Sequence, residues 1–510
     1  MRESTPQPVS AVLNLDQAVD EFRQTVRPLL EPGQESEWDG SKVKEKEFAI
    51  LQAALRLAGQ CIAILIYQLV LTESVKLAAQ ARVRGQAGMA YTHQAFKEVG
   101  ITVMGGVQVR VKTLYKLARQ RKAGRGRKRK RGKRGRSQGQ GFYPVLGLLG
   151  ISEGVTPLIR CGVAQAATQS VSLEYARQQM TGWGVHFSTR RIRRISRAFC
   201  EVGLQVRAEK LGRFAAGTLP AGTALQGKRV VIGVDGGRVR IRQPKSRGRK
   251  RKSGRHGYKG EWKEPKLLTI YVLDEQGRKA VGTDVPCVCD GTLMGEEEFL
   301  QILRMYLHEL GIATADLIVL TGDGAHWIWD HIPALLHRLG CRPEQITQIL
   351  DYCHAVEHLY DLAEALFGDT PHSKGWARQW ARRLKQGRAG ALLTEVSRFL
   401  AKQELRDPKI AQREYNYFHN HHANAARPEL AEGRLEYPRF QKQKLPIGSG
   451  AVESLIRQVV NLRLKGCGKF WLLETAEAFL HARCQWAAHL WSDFCDAVLT
   501  FGLAPVVLTI

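Results

Sequence analysis

The chain has 510 residues, which is enough for two to four domains with at least one large core. Its hydrophobic content of 44% is that of a globular protein, and this excludes an intrinsically disordered chain. The net charge of +29 indicates a polyanionic partner.

The ten cysteines form no CxxC pair, which argues against disulfides or a structural zinc and favours a reducing cytosol. The N-terminal residues show no signal pattern. The most apolar stretch, residues 61–71, is too short to cross a bilayer core of about 30 Å. We therefore expect a cytoplasmic, nucleoid-associated protein that does not engage a membrane.

The N-terminal region, residues 1–118, is predicted to be mainly helical. Apolar residues at helical spacing indicate a helix over 42–84, and an alternating run indicates a strand over 107–112. Further along, Ser170 or Ser172 can cap one helix and Ser188-Thr189 a second, on either side of a glycine-rich turn, which gives helix-turn-helix spacing within residues 142–225. Many helical hairpins share this spacing, so the arginines that open the second helix are what favours DNA binding: Arg190, Arg191, Arg193 and Arg194.

Two basic runs carry much of the excess charge. Twelve of the eighteen residues from 119 to 136 are Lys or Arg, as are ten of the eighteen from 238 to 255. The first run cannot build a core, so we predict a disordered linker over residues 119–141. Such runs often only solubilise a protein, but in this strongly basic chain they favour contact with phosphates. The candidate DNA contacts in the two runs are Arg127, Lys128, Arg129, Lys130, Arg249, Lys250 and Arg251.

From residue 226 the pattern changes to short buried strands. The run 230–234 is apolar and largely β-branched, and too short for a buried helix, so it predicts a strand buried on both faces. Residues 238–242, 267–274 and 280–285 are expected to add antiparallel strands. Two further strands, ending at Asp323 and Asp351, alternate with helices over Glu296–Leu310 and 328–339. This order predicts an α/β fold with a mixed sheet and helices on its faces.

Acidic residues stand where these strands end. Asp235 and Asp323 each follow an apolar run and precede a glycine, and Glu453 lies in the first turn of a predicted helix. Loops at strand ends of such sheets converge, and three carboxylates offer the oxygen ligands that Mg²⁺ or Mn²⁺ prefers. Two such ions would support phosphodiester cleavage. An aspartate before glycines is also common in turns, and Asp290 is expected to be solvated or to cap a helix.

At this point the residues resemble the DDE transposases of bacterial insertion sequences, and more narrowly the Mutator-like group, similar to the Kra/Lre-type enzymes. The 88-residue step from Asp235 to Asp323 and the 130-residue step to Glu453 fit that layout. The stretch Asp351-Tyr352-Cys353-His354 matches the group's motif of Cys or Asp, two residues, then His. Residues 448–454, followed by Arg463, Lys465 and Trp471, look like its third-acid block. The resemblance covers residues 142–490.

The resemblance implies a ribonuclease H-like core with a mixed five-stranded sheet. Its two parts would be residues 226–368 and 441–510, separated by an all-α insertion over 369–440. Asp235, Asp323 and Glu453 would be the catalytic triad that binds two Mg²⁺ or Mn²⁺ ions, with His354 as an auxiliary residue near the scissile phosphate. Arg457, Arg463 and Lys465 would contact DNA. The partners would be the terminal inverted repeats and target DNA, and a homo-oligomer is expected because two DNA ends must be handled together.

Other interpretations stay open at this stage. A ribonuclease H-like nuclease or resolvase would cut without strand transfer, and an inactive domesticated protein would only bind DNA. Asp351 and His354 could be a helix cap and a surface histidine, and the basic residues after Glu453 could be a solvated helix face. Related N-terminal regions often carry zinc-binding cysteine clusters, and this sequence carries none.

Overall fold

The structure is a computed structural model, and it describes residues 9–31, 38–84, 91–118, 141–245, 257–282, 285–402, 405–424 and 432–501. The chain divides into two compact units, Met1–Val206 with Trp491–Ile510, and Arg207–Leu490. The predicted linker and the seven candidate DNA contacts in the basic runs lie outside the described residues.

The first unit begins with helices and a long β-hairpin. In chain order its elements are β1 (Val9–Ser10), α1 (Leu15–Leu30), α2 (Gly40–Leu71), α3 (Glu73–Arg84), β2 (Tyr91–Thr102) and β3 (Val107–Ala118). Strands β2 and β3 are antiparallel, and β1 lies parallel to β3 on its other edge. The hairpin turn approaches α2 closely at Gly59, where a Cβ atom would lie 2.1 Å from the Met104 carbonyl oxygen. The alternating run at 107–112 thus belongs to a longer strand, and its partner β2 was not predicted.

Helix α2 is longer than the apolar stretch that marked it in the sequence. Its 32 residues are long and apolar enough to cross a membrane by length and composition, a test that the core helix of a soluble protein also passes. Ala63, Ile66 and Val70 are buried in one hydrophobic cluster with Val107 and Val109 of β3. Helix α2 therefore contributes to the core of this unit.

The predicted helix pair is present in the first unit. The next elements are β4 (Gly141–Phe142), α4 (Pro144–Leu148), α5 (Pro157–Gln169), α6 (Leu173–Thr181) and α7 (Thr189–Ala215). The Ser172 side chain caps α6 by accepting a hydrogen bond from the Tyr175 N–H at 3.0 Å. Gly184 turns the chain with φ = 69°. The predicted apolar side of α7, which includes Ile192 and Ile195, is fully buried.

The second unit is built on a five-stranded mixed sheet, so the chain has the predicted α/β character. Its first elements are β5 (Arg229–Gly236), β6 (Val239–Pro244), β7 (Tyr258–Lys263), β8 (Lys266–Val272), β9 (Cys287–Thr292), α8 (Glu296–Leu310), β10 (Leu317–Gly322), α9 (His326–Arg338) and β11 (Ile346–Leu350). The strand order is β11-β10-β5-β8-β9. Strand β10 is parallel to both β5 and β11, whereas β8 is antiparallel to both β5 and β9.

Two strand predictions were wrong. Residues 238–242 do not pair with β5; they form β6, which pairs with β7 in a separate two-stranded ribbon. The third antiparallel strand is β9; of the run predicted over 280–285, the described residues 280–282 are not a strand, and Val281 is 94% exposed. Asp290 was expected to be solvated or to cap a helix, but it is buried inside β9, where the guanidinium of the buried Arg207 neutralises it at 3.0 Å.

Helices fill the remainder of the second unit. They are α10 (Tyr352–Phe367), α11 (Pro371–Lys385), α12 (Ala389–Lys402), α13 (Pro408–His421), α14 (Tyr437–Lys442), α15 (Gly450–Ile456) and α16 (Leu473–Ala487), with a π-helical segment, Arg457–Leu464, after α15. The last helix, α17 (Trp491–Phe501), belongs to the first unit. One hydrophobic core joins the sheet to α8–α11, with Val231, Leu320 and Trp380 among its buried side chains.

Candidate active site

Three aspartates follow the carboxyl ends of three adjacent parallel strands. In the sheet register Gly322 of β10 lies opposite Val234 of β5 and Leu350 of β11. The residues that come next, Asp235, Asp323 and Asp351, therefore stand at the same edge of the sheet. Side chains separated by 88 and 28 residues in sequence are brought together because parallel strands present equivalent ends at one edge.

Asp351 is the most buried of the three, with no solvent exposure. Its Oδ1 accepts hydrogen bonds from the backbone N–H groups of Cys353 at 2.6 Å and His354 at 3.1 Å, so it caps α10. Its Oδ2 accepts another from the Ser449 N–H, and its own N–H donates to the Gly322 carbonyl at 3.0 Å. The helix cap considered from the sequence is therefore present. The same carboxylate also joins β10 and α10 to the segment that precedes α15.

Glu453 reaches this edge from the first turn of α15. The Ser449 hydroxyl donates a hydrogen bond to Glu453 Oε1 at 2.9 Å, and Ser449 is also held by Asp351. Helix α15 packs on β5, where Val452 lies against Gly233; a Cβ atom at Gly233 would lie 3.5 Å from the Val452 Cβ. The Glu453 side chain is exposed, so it is open to a ligand.

The electrostatics of Asp235 show that the acidic side chains are close enough to interact. Burial raises the pKa of Asp235 to about 6, and the carboxylates of Asp323 and Glu453 also raise it. The Gly236 N–H and the nearby His354 act in the opposite direction. Clustered carboxylates that repel one another are stabilised by a divalent cation, and their oxygen atoms are the ligands that Mg²⁺ and Mn²⁺ prefer. The donor set therefore fits such ions.

His354 lies among these carboxylates. Burial lowers its pKa, but the surrounding carboxylates, first Asp351 and then Asp235 and Asp323, more than offset this, so the pKa of His354 is raised. Its Nδ1 also lies 3.3 Å from Glu357. A half-buried imidazole held near its cationic form can meet an anionic oxygen.

Another grouping at this edge contains possible metal ligands. Oxygen or sulfur atoms of Asp351, Cys353 and Glu453 lie within 4.8 Å of one another. His358 of α10 instead contacts Glu414 of α13, with its Nδ1 2.5 Å from the carboxylate. His358 therefore belongs to the wall beside the acidic residues.

That wall was not foreseen from the sequence. Tyr417 of α13 stacks on His358, with ring centroids 3.6 Å apart, and its ring lies against Gly324, where a Cβ atom would be 2.1 Å away. A cavity of about 420 Å³ opens beside Gly324, with His326, Arg413 and Asn420 in its lining. Helix periodicity predicted that this segment is helical, but which strand end it covers depends on contacts across some 90 residues.

The remaining predicted site residues are found in different environments. Arg190, Arg193 and Arg194 are exposed, although Arg194 lies 2.5 Å from Glu153. Arg191 is half-buried and donates hydrogen bonds to Thr102 and Gly154. Arg457 and Lys465 are exposed, whereas Arg463 is buried, with its guanidinium 5.1 Å from the Trp471 ring centroid.

Comparison with known proteins yields little beyond the geometry. No protein-family profile matches the sequence, and no curated protein matches it. Among solved structures, the chain resembles the Drosophila P element transposase strand transfer complex, with 10% sequence identity and a TM-score of 0.22. That match covers 65% of this chain and 79% of the other. A score so low carries no argument about fold or function.

Proposed function

We propose that this protein is a DDE-type DNA transposase, which binds the ends of its insertion sequence and then cuts and rejoins DNA. The observation that carries the proposal is the convergence of Asp235, Asp323 and Glu453 on one edge of the sheet, beside His354. The strand order supports a ribonuclease H-like core, because three antiparallel strands are followed by two that run parallel to the first. Helices α11–α13 lie between the second aspartate and the glutamate, where the insertion is expected.

The chemistry follows from what the side chains can hold. Asp235, Asp323 and Glu453 would hold one or two Mg²⁺ or Mn²⁺ ions, which when bound activate a hydroxyl nucleophile and stabilise the leaving oxygen. His354, near its cationic form, contacts a non-bridging oxygen of the scissile phosphate. Asp351 positions both other residues: it accepts a hydrogen bond from the His354 N–H and one from the N–H of Ser449, whose hydroxyl binds Glu453. Water attacks first and the freed 3′-hydroxyl second, each in line with the leaving oxygen.

The test is cleavage and joining of DNA duplexes that carry the genomic flanks of the reading frame. Asp235→Asn, Asp323→Asn and Glu453→Gln should keep DNA binding and lose Mg²⁺- or Mn²⁺-dependent cleavage by at least about a hundredfold. Asp316→Asn is the matched control, because exposed Asp316 precedes the amino end of the same strand, β10, whose carboxyl end leads to Asp323.

The outcomes separate the possible functions. Full cleavage by Asp235→Asn or Glu453→Gln would remove these residues from the chemistry. Cleavage by the wild type without insertion into a target plasmid would indicate a nuclease or resolvase. Binding of the flanks without any cleavage, in either metal, would indicate an inactive DNA-binding protein.

A further inference from the structure

The ribbon of β6 and β7 rises from the same sheet edge as the acidic residues. Strand β5 ends at Gly236, which pairs with Lys266, the first residue of β8. The ribbon occupies the chain between these two residues. Its first strand begins at Val239, four residues after Asp235, and Gly237 lies against Val460 and Ile456 at the end of the helix that carries Glu453. Any DNA strand held at the acidic edge thus passes the base of the ribbon.

One side of the ribbon alternates arginines with aromatic rings. Arg240 lies opposite Trp262 and Arg242 opposite Gly260 in the antiparallel register. Gly260 has no side chain, and Phe470 fills the gap; a Cβ atom there would lie 2.9 Å from the Phe470 ring. We call the set the aromatic–arginine ladder; its members are Arg240, Arg242, Tyr258, Trp262 and Phe470.

The arginines of the ladder lie beside the rings, Arg240 near two of them and Arg242 near one. The Arg240 guanidinium carbon lies 4.9 Å from the Trp262 centroid and 5.1 Å from that of Phe470. Arg242 lies 5.7 Å from the Tyr258 centroid, and the Tyr258 and Phe470 centroids are 5.3 Å apart. Each cation–π contact uses the flat face of the guanidinium, so the N–H donors at its edge are left for other acceptors.

The opposite side of the ribbon fixes it in place. Val239 and Ile241 are buried. The Arg242 N–H donates to the Trp471 carbonyl at 2.7 Å, and the Trp471 N–H donates to the Arg240 carbonyl at 2.9 Å. The ladder is therefore presented by a backbone that is already held, which lowers the entropy cost of binding a ligand.

A purely structural role leaves two features of the ladder unexplained. Trp262 keeps 50% of its surface exposed and Tyr258 keeps 38%, so half of the Trp262 side chain is open to a ligand. Among the residues that the structure describes, no carboxylate forms an ion pair with Arg240 or Arg242. Both features suit a ligand that brings flat rings and anionic oxygens.

The charge around the ladder is positive. Its cationic neighbours in sequence are Lys245, Lys259, Lys263, Lys465 and Lys469. Burial lowers the pKa of Lys469, as do the nearby guanidinium groups of Arg463 and Arg483. Only Glu261 and Glu264 of the β7 segment oppose this charge, and Glu264 already faces Lys266 at 4.0 Å. The ligand is thus a polyanion.

We propose that the aromatic–arginine ladder binds a single-stranded stretch of the DNA that the acidic site processes. Unpaired bases stack on the Trp262, Phe470 and Tyr258 rings, and the phosphates accept hydrogen bonds from Arg240 and Arg242. A duplex fits less well because its bases already stack on one another. At about 3.3 Å per strand residue, Arg240 and Arg242 lie at most about 16 and 23 Å along the chain from Asp235. The proposal rests on the proposed function for the identity of its ligand.

The test is binding of fluorescent oligonucleotides to the full chain carrying Asp235→Asn, without divalent metal, so that binding is measured without cleavage. The probes are a 15-nucleotide oligo-dT and a 15-base-pair duplex. Trp262→Ala should weaken binding of the single strand about tenfold, the loss of one stacked base, and change duplex binding less. Trp262→Phe should keep most of the affinity. Replacing both Arg240 and Arg242 by Gln should reduce the salt slope of single-strand binding by about 1.4.

Trp38→Ala is the matched control, because Trp38 is 45% exposed and also lies under a cation, Lys46, at 5.2 Å. It should leave binding unchanged. The proposal would be refuted if Trp262→Ala, shown to be folded by an unaltered melting temperature, bound the single strand with unchanged affinity. It would also be refuted if the substitution reduced the affinities for single strand and duplex equally. If cleavage still depends on Asp235 in that case, the proposed function stands. Conversely, if Trp262→Ala weakens single-strand binding but the wild-type protein never cleaves DNA, the role of the ladder in binding stands and the catalytic proposal is refuted.

Discussion

Asp290 lies at the centre of a buried ionic cluster in the second unit, and its removal tests the reasoning about how this unit is held together. Asp290 Oδ1 contacts Arg207 Nη1 at 3.0 Å and His481 Nδ1 at 2.9 Å, and Oδ2 accepts a hydrogen bond from the Tyr306 hydroxyl at 2.9 Å. Arg207 also binds Glu477 at 2.6 Å. Burial raises the pKa of Asp290, but His481 and Arg207 outweigh burial and hold it well below its usual range.

The substitution Asp290→Asn keeps the shape of the side chain and removes its charge. Breaking a buried ion pair by removing one partner costs about 3–5 kcal/mol. We expect the lower end, about 3 kcal/mol, because Glu477 remains in contact with Arg207. For a unit of the size of Arg207–Leu490, at about 2.1 cal/mol/K of unfolding entropy per residue, this corresponds to a fall in melting temperature of about 5 °C.

The measurement is differential scanning calorimetry of the wild type and Asp290→Asn at a fixed scan rate, with the exposed Asp330→Asn on α9 as control. A carboxyl whose pKa is lowered in the folded state stabilises the protein above its unfolded pKa of about 4, and this contribution is lost as the pH falls further. The difference in melting temperature between the wild type and Asp290→Asn should therefore become smaller below pH 4. A difference in melting temperature of less than about 2 °C at pH 7, or one that stays the same below pH 4, would refute the stabilising role of the Asp290 carboxylate.

Two further predictions concern the acidic edge. Asp351→Asn should destabilise the protein by about 2 kcal/mol and abolish cleavage, because it turns an amide N–H toward either the Ser449 N–H or the α10 N–H groups. Ser449→Ala should impair cleavage with a smaller change in melting temperature. Cleavage at the wild-type rate by Asp351→Asn would contradict the role of this carboxylate. Gly324→Ala should lower the melting temperature because its methyl group meets the Tyr417 ring. Gly375→Ala in α11 is the control: a Cβ atom there has nothing within 4 Å, so this substitution should stabilise the protein by about 0.5–1 kcal/mol. Equal changes in melting temperature for the two substitutions, measured by calorimetry, would show that the Tyr417 ring does not pack against Gly324.

The elements that the sequence predicted best are those whose signal is local. Helix α8 has the predicted bounds Glu296–Leu310, and the runs that end at Asp235, Asp323 and Asp351 are strands. A β-branched run or a 3.6-residue period reports the environment of neighbouring residues, so it survives without knowledge of the rest of the chain. Pairing partners are not local in this sense. Nothing within residues 238–242 distinguishes pairing with β5 from pairing with β7.

Asp290 shows the limit most plainly. An aspartate next to a glycine reads as a turn, because burying an unpaired charge is costly. In the folded chain the cost is offset by Arg207 and His481, which lie 83 and 191 residues away. The strand β9 therefore becomes visible only when those partners are in place.

The sequence by itself determined that the chain carries apolar strands ending in carboxylates, a helical segment before a third acid, and an excess of cations suited to DNA. The tertiary structure alone decided that Glu453 comes near Asp235, that Asp351 joins β10 and α10 to the segment before α15, and that the rings of Tyr258, Trp262 and Phe470 lie beside two arginines. The reason is that residue type and spacing reflect local conformational preferences. Which distant side chains meet depends instead on which apolar surfaces of the strands and helices pack against one another and exclude water.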